Sequence, residues 1–148
     1  MIQQSSWAQQ ATDRFFRGRK SPSRMQCDEI AQSVSGASTV SPVDSPGSMS
    51  YTVICNGRPG PQQDVIVSFR EPGAMLDEKM VKLAREIHGD LVPESTYHGN
   101  VEGADPPLSI YSMPYLRGSS CIQVLAFQVE MDPEQEAKHR VFVKHLAR

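Results

Sequence analysis

Three groups of residues in the middle of the chain could together hold a phosphate-bearing ligand. The small turn residues 44–48 (DSPGS) lie between two strand-like runs, the cation Arg70 ends the run VIVSFR, and the acid Glu78 follows in the first turns of an amphipathic segment. The backbone of such a loop can cover phosphates, a strand cation can pair with them, and an acid can orient the cation. Taken singly, Arg70 also fits a solvated strand end and Glu78 an acidic helix start. It is their order that favours phosphate binding.

A second string, residues 88–95 (HGDLVPES), resembles the catalytic loop of small-molecule kinases. In that loop the Asp accepts the proton of the substrate hydroxyl and an Asn five residues later holds a metal. Ser95 stands at the position of the Asn, so a helix that ends at Gly89 and leads into a turn is the favoured interpretation. Asp90, and His98 from a later segment, are weak acid–base candidates.

Other motifs of chemistry are absent from the sequence. There is no glycine-rich phosphate loop, no pair of histidines at helical zinc-binding spacing and no Gly-x-Ser-x-Gly nucleophile elbow. Cys27, Cys55 and Cys121 lie far apart and are odd in number, which argues against a zinc site or a disulfide framework. We therefore predict no metal site.

The composition is that of one globular domain. The 148 residues carry 15 Lys and Arg against 17 Asp and Glu, a net charge of -2 that gives nucleic acid no electrostatic handle. No run reaches the roughly 18 apolar residues of a membrane span, and the start MIQQSSWAQQATDRFF lacks the features of a signal peptide. We expect a soluble, cytoplasmic protein that binds neither nucleic acid nor membrane.

The hydrophobic pattern predicts an α+β fold in which an antiparallel sheet carries a packed helix. Predicted strands lie near residues 38–43, 51–55, 64–70, 95–98 and 108–113, and predicted helices lie in the first 20 residues, after Ser21-Pro22-Ser23, and at 74–88, 119–130 and from 132 onward. We expect the second helix to turn Met25, Ile30, Ala31 and Val34 inward, and the helix at 74–88 to bury Met75, Met80, Val81, Leu83, Ala84 and Ile87. Residues 1–20 are a helix or tail, for which a docked cap, a frayed terminus and a partner-binding helix are all open.

Several stretches in this order resemble the N-terminal lobe of the aminoglycoside phosphotransferase/choline kinase family, in particular its fungal members. The stretches are MQCDEIAQ, SMSYTVIC, VIVSFR, LDEKMVKLAREIHGDLVPESTYHG, LSIYSMPYLRG and AKHRVFVKHLAR, and they cover most of the chain from residue 27 to residue 148. The resemblance implies a protein-kinase-like lobe of five antiparallel strands and one helix that binds ATP. It divides the chain into an N-terminal helix or tail (1–20), a kinase-like lobe (21–118) and a helical extension (119–148) that leads to a C-terminal lobe.

The resemblance also implies roles for particular residues. Arg70 stands at the position of the strand Lys that contacts ATP phosphates, and Glu78 at that of its helix partner. The loop over the phosphates is residues 45–49 and the hinge that touches adenine is residues 112–115. The predicted nucleotide-binding residues are Ser45, Gly47, Ser48, Met49, Arg70, Glu78, Ser112, Met113 and Tyr115. Pro114 removes one backbone N–H from the hinge.

The helical lobe of the family carries the catalytic Asp and the metal-binding Asn and Asp, which have no counterpart in these 148 residues. The sequence therefore predicts a truncated phosphotransferase lobe, with ATP as a possible ligand, Mg²⁺ only through a missing lobe, and no phosphotransfer of its own. Two alternatives stay open. One is a non-catalytic scaffold, covered at the final helix (Val141, Phe142, Leu146) by a second copy or another protein. The other is a fold repurposed as a small cyclase or isomerase acting on a small molecule.

Overall fold

The computed structural model describes residues 6–118 and 130–147, and it divides the chain into two compact units, Met1–Leu116 and Arg117–Arg148. The first unit contains three helices, α1 (Trp7–Arg17), α2 (Arg24–Ser35) and α3 (Glu78–His88), and five strands, β1 (Thr39–Pro42), β2 (Ser50–Asn56), β3 (Val65–Arg70), β4 (Thr96–Asn100) and β5 (Ser109–Pro114). Short 3-10 turns precede and follow α3 at Pro72–Ala74 and Gly89–Leu91. The second unit contains helix α4 (Pro133–Leu146).

The five strands form one antiparallel sheet in the order β1-β2-β3-β5-β4. Burial alternates residue by residue along β2, as expected when successive side chains point to opposite faces of a sheet. The predicted α+β class, with a five-stranded antiparallel sheet, is confirmed. Each of the five predicted strands is present, with ends that differ by a few residues.

One face of the sheet packs against α1 and α2 and forms the core. Tyr51, Val53 and Cys55 of β2 and Val67 and Phe69 of β3 are buried there. Helix α2 approaches closely because its buried residues are small: Cys27, Ala31 and Ser35. Ser23 begins this helix through a capping box with Gln26. The predicted inward face of α2 is wrong in one respect, since Met25 is exposed and Cys27 takes the inward place.

Helix α1 contributes to the same core. Phe15 is 6% exposed, and its ring lies 5.1 Å from that of Phe16 and 6.4 Å from that of Tyr51. Beyond the helix, the side chain of Arg19 is buried as well. The first described residues therefore dock on the sheet rather than form a frayed terminus.

Helix α3 differs from the sequence expectation in its start and in its burial. It begins at Glu78 instead of Ala74, because the side chain of Asp77 accepts hydrogen bonds from the backbone N–H groups of Lys79 and Met80. No residue of α3 is buried. The expectation that its apolar side packs on the sheet is wrong, and the exposed apolar residues along this stretch are Met75, Met80, Leu83 and Ile87.

Helix α4 is a separate element of the second unit. Its start is as predicted, with Asp132 in a capping box with Gln135 and Pro133 in the first turn. Val141, Phe142 and Leu146 are exposed. The helix predicted at 119–130 lies outside the described residues except for its last residue. No helix in the described ranges is long and apolar enough to cross a membrane.

Candidate phosphate-binding site

The second face of the sheet carries the residues on which phosphate binding would depend. Side chains that alternate with the core residues point to this face: Thr52 of β2, Ile66, Ser68 and Arg70 of β3, and Tyr111 and Met113 of β5. We call it the Arg70 face. Register places Ser50 and Ser109 on either side of Arg70, and a hydrogen bond of 2.9 Å joins the hydroxyl groups of Thr52 and Ser68.

Arg70 is a half-buried cation that no carboxylate compensates in the described part of the chain. Its Nη1 donates to the backbone oxygen of Ala74 at 3.2 Å, whereas its Nε is buried and has no hydrogen-bond partner within residues 6–118 and 130–147. Burial lowers the pKa of the Arg70 guanidinium from its ordinary value, and Tyr111 opposes this shift. An arginine side chain nevertheless remains protonated in proteins. The end of β3 therefore carries a positive charge whose Nε–H donor is not used by the described residues.

The predicted phosphate loop lies beside this charge. The predicted loop, residues 45–49, is part of the connection 43–49 between β1 and β2, and the backbone N–H of Glu71 donates to the oxygen of Met49 at 3.1 Å. Gly73 approaches the end of the Met49 side chain so closely that a Cβ atom at Gly73 would lie 2.7 Å from Met49 Cε. Ser45, Gly47, Ser48 and Met49 are exposed. The structure thus brings the loop and Arg70 to the same corner of the sheet.

Glu78 is not brought to Arg70. The two side chains form no ion pair among the described residues, and the carboxylate of Glu78 instead borders a cleft of about 450 Å³ between α3 and the segment before β4. Lys82, Arg85 and Glu94 also line this cleft. The oxygen that contacts the Arg70 guanidinium is that of Ala74, one turn before α3.

The predicted hinge lies at the opposite end of β3 from Arg70. Register pairs Met113 with Ile66, four residues from Arg70, a separation of roughly 13 Å along the strand. The backbone N–H of Tyr115 donates to Asp64, and its oxygen accepts from Gln63 Nε2, each at 3.0 Å. Both backbone groups of Tyr115 are therefore hydrogen-bonded within the protein. Of the hinge residues within β5, Met113 lies on the Arg70 face.

Arg70 and the loop 45–49 lie together at one corner of the sheet, which we call the phosphate corner. The two weak acid–base candidates lie apart from it. Asp90 is exposed in the 3-10 turn after α3. His98 is exposed on β4, and its Nε2 lies 2.7 Å from the hydroxyl of Ser112. Ser112 pairs in register with Val67, so its side chain belongs to the core face rather than to the Arg70 face.

Sequence reasoning missed several residues around Arg70. Ser68 lies two positions before Arg70 and Thr52 lies opposite Ser68, so the period of two in a strand was a signal that could have found both. Arg19 and Glu71 form a half-buried ion pair next to Arg70 in the chain, with Arg19 Nη2 3.0 Å from Glu71 Oε1. For this pair the sequence carried no signal, because the partners lie 52 residues apart.

Comparisons of the chain with protein-family models, with curated proteins and with solved structures found no match.

Proposed function

We propose that the first unit is a nucleotide-binding lobe of the phosphotransferase kind, which holds the phosphates of ATP at Arg70 and does not transfer phosphate by itself. The observation that carries the proposal is the Arg70 guanidinium beside the loop before β2: no carboxylate pairs with it and its buried Nε has no partner among the residues that the structure describes. The sheet of five antiparallel strands, with α3 following the strand that ends in Arg70, is the arrangement that the resemblance implies.

The physical reason is the cost of a partly buried, unpaired charge. Removing a cation from water is unfavourable unless an anion or hydrogen-bond acceptors replace the lost hydration. A phosphate oxygen at Arg70 would supply both, because arginine presents donors in a fork that matches phosphate geometry. The neighbouring hydroxyl of Ser50 would add a donor on the same side.

The length of the Arg70 face suits a nucleotide that lies along β3. Phosphates at Arg70 would place the base near Met113, where Ile66 offers an apolar surface at the other end of the strand. In the described ranges no cluster of three or more His, Cys, Asp or Glu could hold a metal ion. In the proposed lobe, this chain would supply phosphate contacts, and Mg²⁺ would be held by the nucleotide and by a second lobe, as the resemblance implies.

The test is a calorimetric and thermal-shift titration with ATP, with and without Mg²⁺, on the wild-type chain and on Arg70→Met. A ligand with a Kd of about 10 µM, present at 1 mM, stabilises the fold by roughly 2.7 kcal/mol. Arg70→Met should weaken binding at least roughly tenfold, since hydrogen bonds to charged groups contribute about 1.5–3 kcal/mol. Without ligand this variant should be no less stable than the wild type, because an unpaired cation is removed.

Lys79→Met is the matched control, because it removes an exposed cation from the same unit. It should leave ATP affinity unchanged. Absence of binding to the wild-type chain, or equal losses in the two variants, would refute the proposal. Turnover of ATP with an amine or amino-alcohol acceptor would refute the statement that the chain does not transfer phosphate.

A second candidate function, a dimerisation module, is favoured by α4. Its exposed apolar residues are Val141, Phe142, Val143 and Leu146. The helix carries acids in its first turn and bases in its last turn. In an antiparallel pair of α4 helices related by a two-fold axis, the acidic end of each copy would face the basic end of the other. A second copy of this chain is therefore the partner that we propose for α4.

Sedimentation at tens of micromolar distinguishes this candidate from the first. A dimer that Phe142→Ser converts to a monomer, and that weakens as salt is raised, would support it. Ala137→Ser, in the same helix, is the control and should leave the dimer intact. A wild-type chain that sediments as a monomer would refute it.

A further inference from the structure

Arg19, in the N-terminal segment, forms an ion pair with Glu71, the residue that follows Arg70. The side chain of Arg19 is only 1% exposed, and its guanidinium lies 4.4 Å from the centre of the Phe15 ring. Its Nη2 pairs with Glu71 Oε1 at 3.0 Å and its Nη1 donates to the oxygen of Pro106 at 3.0 Å. Arg19 thus joins three parts of the first unit: α1, the end of β3 and the segment before β5.

Glu71, the partner of Arg19, contacts both parts of the candidate site through its backbone. Its backbone N–H holds the loop before β2 through the oxygen of Met49, and its backbone oxygen accepts the N–H of Ala74 at 2.9 Å. The oxygen of Ala74 in turn accepts the hydrogen bond from Arg70. The phosphate loop and the acceptor of the Arg70 guanidinium therefore both depend on where Glu71 stands.

We propose that Arg19 is a positioning residue of the phosphate corner: through Glu71 it fixes the loop at Met49 and the turn at Ala74 in the arrangement that aims Arg70 at an anion. The inference rests on the proposed function for its ligand, but the positioning itself is a property of the unliganded chain. Helix α1 then contributes to the site through Phe15, because the Phe15 ring packs against the Arg19 guanidinium.

The partners in this pair differ in burial, and this difference shapes the test. Glu71 is 31% exposed, so water can solvate its carboxylate when Arg19 is replaced. Arg19→Met keeps an unbranched apolar chain against Phe15 and removes the charge and both hydrogen bonds. It should therefore fold while it releases Glu71. Lys20→Met is the matched control, because it removes the adjacent, exposed pair of Lys20 with Asp105.

The first measurement is amide hydrogen exchange without ligand. In Arg19→Met the amides of Glu71 and Ala74, which hold the corner, should exchange roughly tenfold faster or more than in the wild type. The amide of Tyr115, which is bonded to Asp64 at the far end of β3, should exchange at an unchanged rate. Uniformly faster exchange at all three amides, or no change at Glu71 and Ala74, would overturn the inference.

The second measurement is calorimetric binding of ATP and of inorganic tripolyphosphate. Arg19→Met should weaken both by roughly tenfold, Arg19→Lys should recover part of the loss by restoring the charge, and Lys20→Met should behave as the wild type. A lower melting temperature with unchanged affinity would show a merely structural role and overturn the inference. If the wild-type chain binds neither probe, the proposed function fails, and the exchange rates at Glu71 and Ala74 still decide whether Arg19 positions the corner.

Discussion

Replacement of Phe15 by alanine tests whether the N-terminal helix belongs to the core. The ring of Phe15 is 6% exposed, lies 6.4 Å from the ring of Tyr51 and carries the Arg19 guanidinium over its face. Truncation of a buried Phe to Ala costs about 3–5 kcal/mol, because apolar contact is lost and a cavity remains. Loss of the cation–π contact adds about 0.5–1 kcal/mol or more. Against a total stability of about 5–15 kcal/mol for a domain, this is a large loss.

Urea and thermal denaturation, followed by far-ultraviolet circular dichroism, measure the loss. Phe15→Ala should lower the melting temperature by roughly 10–30 °C. Trp7→Ala is the matched control, since it removes a larger ring from the same helix at a position that is 65% exposed. The control should change stability by no more than about 0.5 kcal/mol. Circular dichroism is preferred to fluorescence because Trp7 is the only tryptophan of the chain.

The stability losses of Phe15→Ala and Trp7→Ala, compared with each other, show whether helix α1 contributes to the core. If Phe15→Ala costs no more than Trp7→Ala, helix α1 does not contribute to the core, and the support of the phosphate corner by Arg19 loses its anchor. If Phe15→Ala unfolds the chain completely, Phe15→Leu, which keeps most of the apolar volume, should restore the fold at a cost between those of the two alanine variants.

Three further predictions concern the core and one turn. Burial raises the pKa of the Cys27 thiol to about 12 from an unfolded value near 9.0, so the unfolded chain loses this proton first. As the pH rises above about 9, this thiol should lower the free energy of unfolding by about 1.4 kcal/mol per pH unit. Urea denaturation at pH 8 and pH 10 should therefore show a smaller loss of stability for Cys27→Ala than for the wild type. Thr52→Val should cost about 1–3 kcal/mol by leaving the buried hydroxyl of Ser68 without its partner, whereas Thr52→Val with Ser68→Ala should cost less in the same assay. Gly57→Ala should lower the free energy of unfolding by at least about 1–2 kcal/mol, and by more than Gly36→Ala. The φ angle is +70° at both glycines, but only at Gly57 would the new methyl group overlap a neighbouring serine hydroxyl. Equal losses in the two variants would contradict this.

Much of the sheet could be predicted because its signals are local. The runs YTVIC and VIVSFR alternate or concentrate β-branched residues and are bounded by turn residues, and the structure places β2 and β3 on them. The start of α3 was missed for an equally local reason. The apolar pattern from Ala74 predicted a helix at 74–88, but Ala74 ends a separate 3-10 turn, Pro72–Ala74, and Asp77 supplies the cap that begins α3.

The candidate site could be predicted only where it depends on position within one strand. Arg70 ends a strand, and the loop before β2 must lie near that end because the two strands are antiparallel neighbours. The partner of the Arg70 guanidinium could not be found in this way. The order of the residues and the resemblance suggested Glu78, whereas the contact is made by a backbone oxygen, which no residue type in the sequence indicates.

The outward side of α3 follows from the chemistry of the sheet. A helix with an apolar stripe needs an apolar surface, and the core face of the sheet is already covered by α1 and α2. The Arg70 face carries hydroxyl groups at Thr52 and Ser68 and a cation at Arg70. An apolar helix packed there would bury the guanidinium without a partner, at a cost of several kcal/mol. At the end of β3 that carries Arg70, the period of two in β2 and β3 therefore disfavours a packed apolar helix and is compatible with a charged ligand.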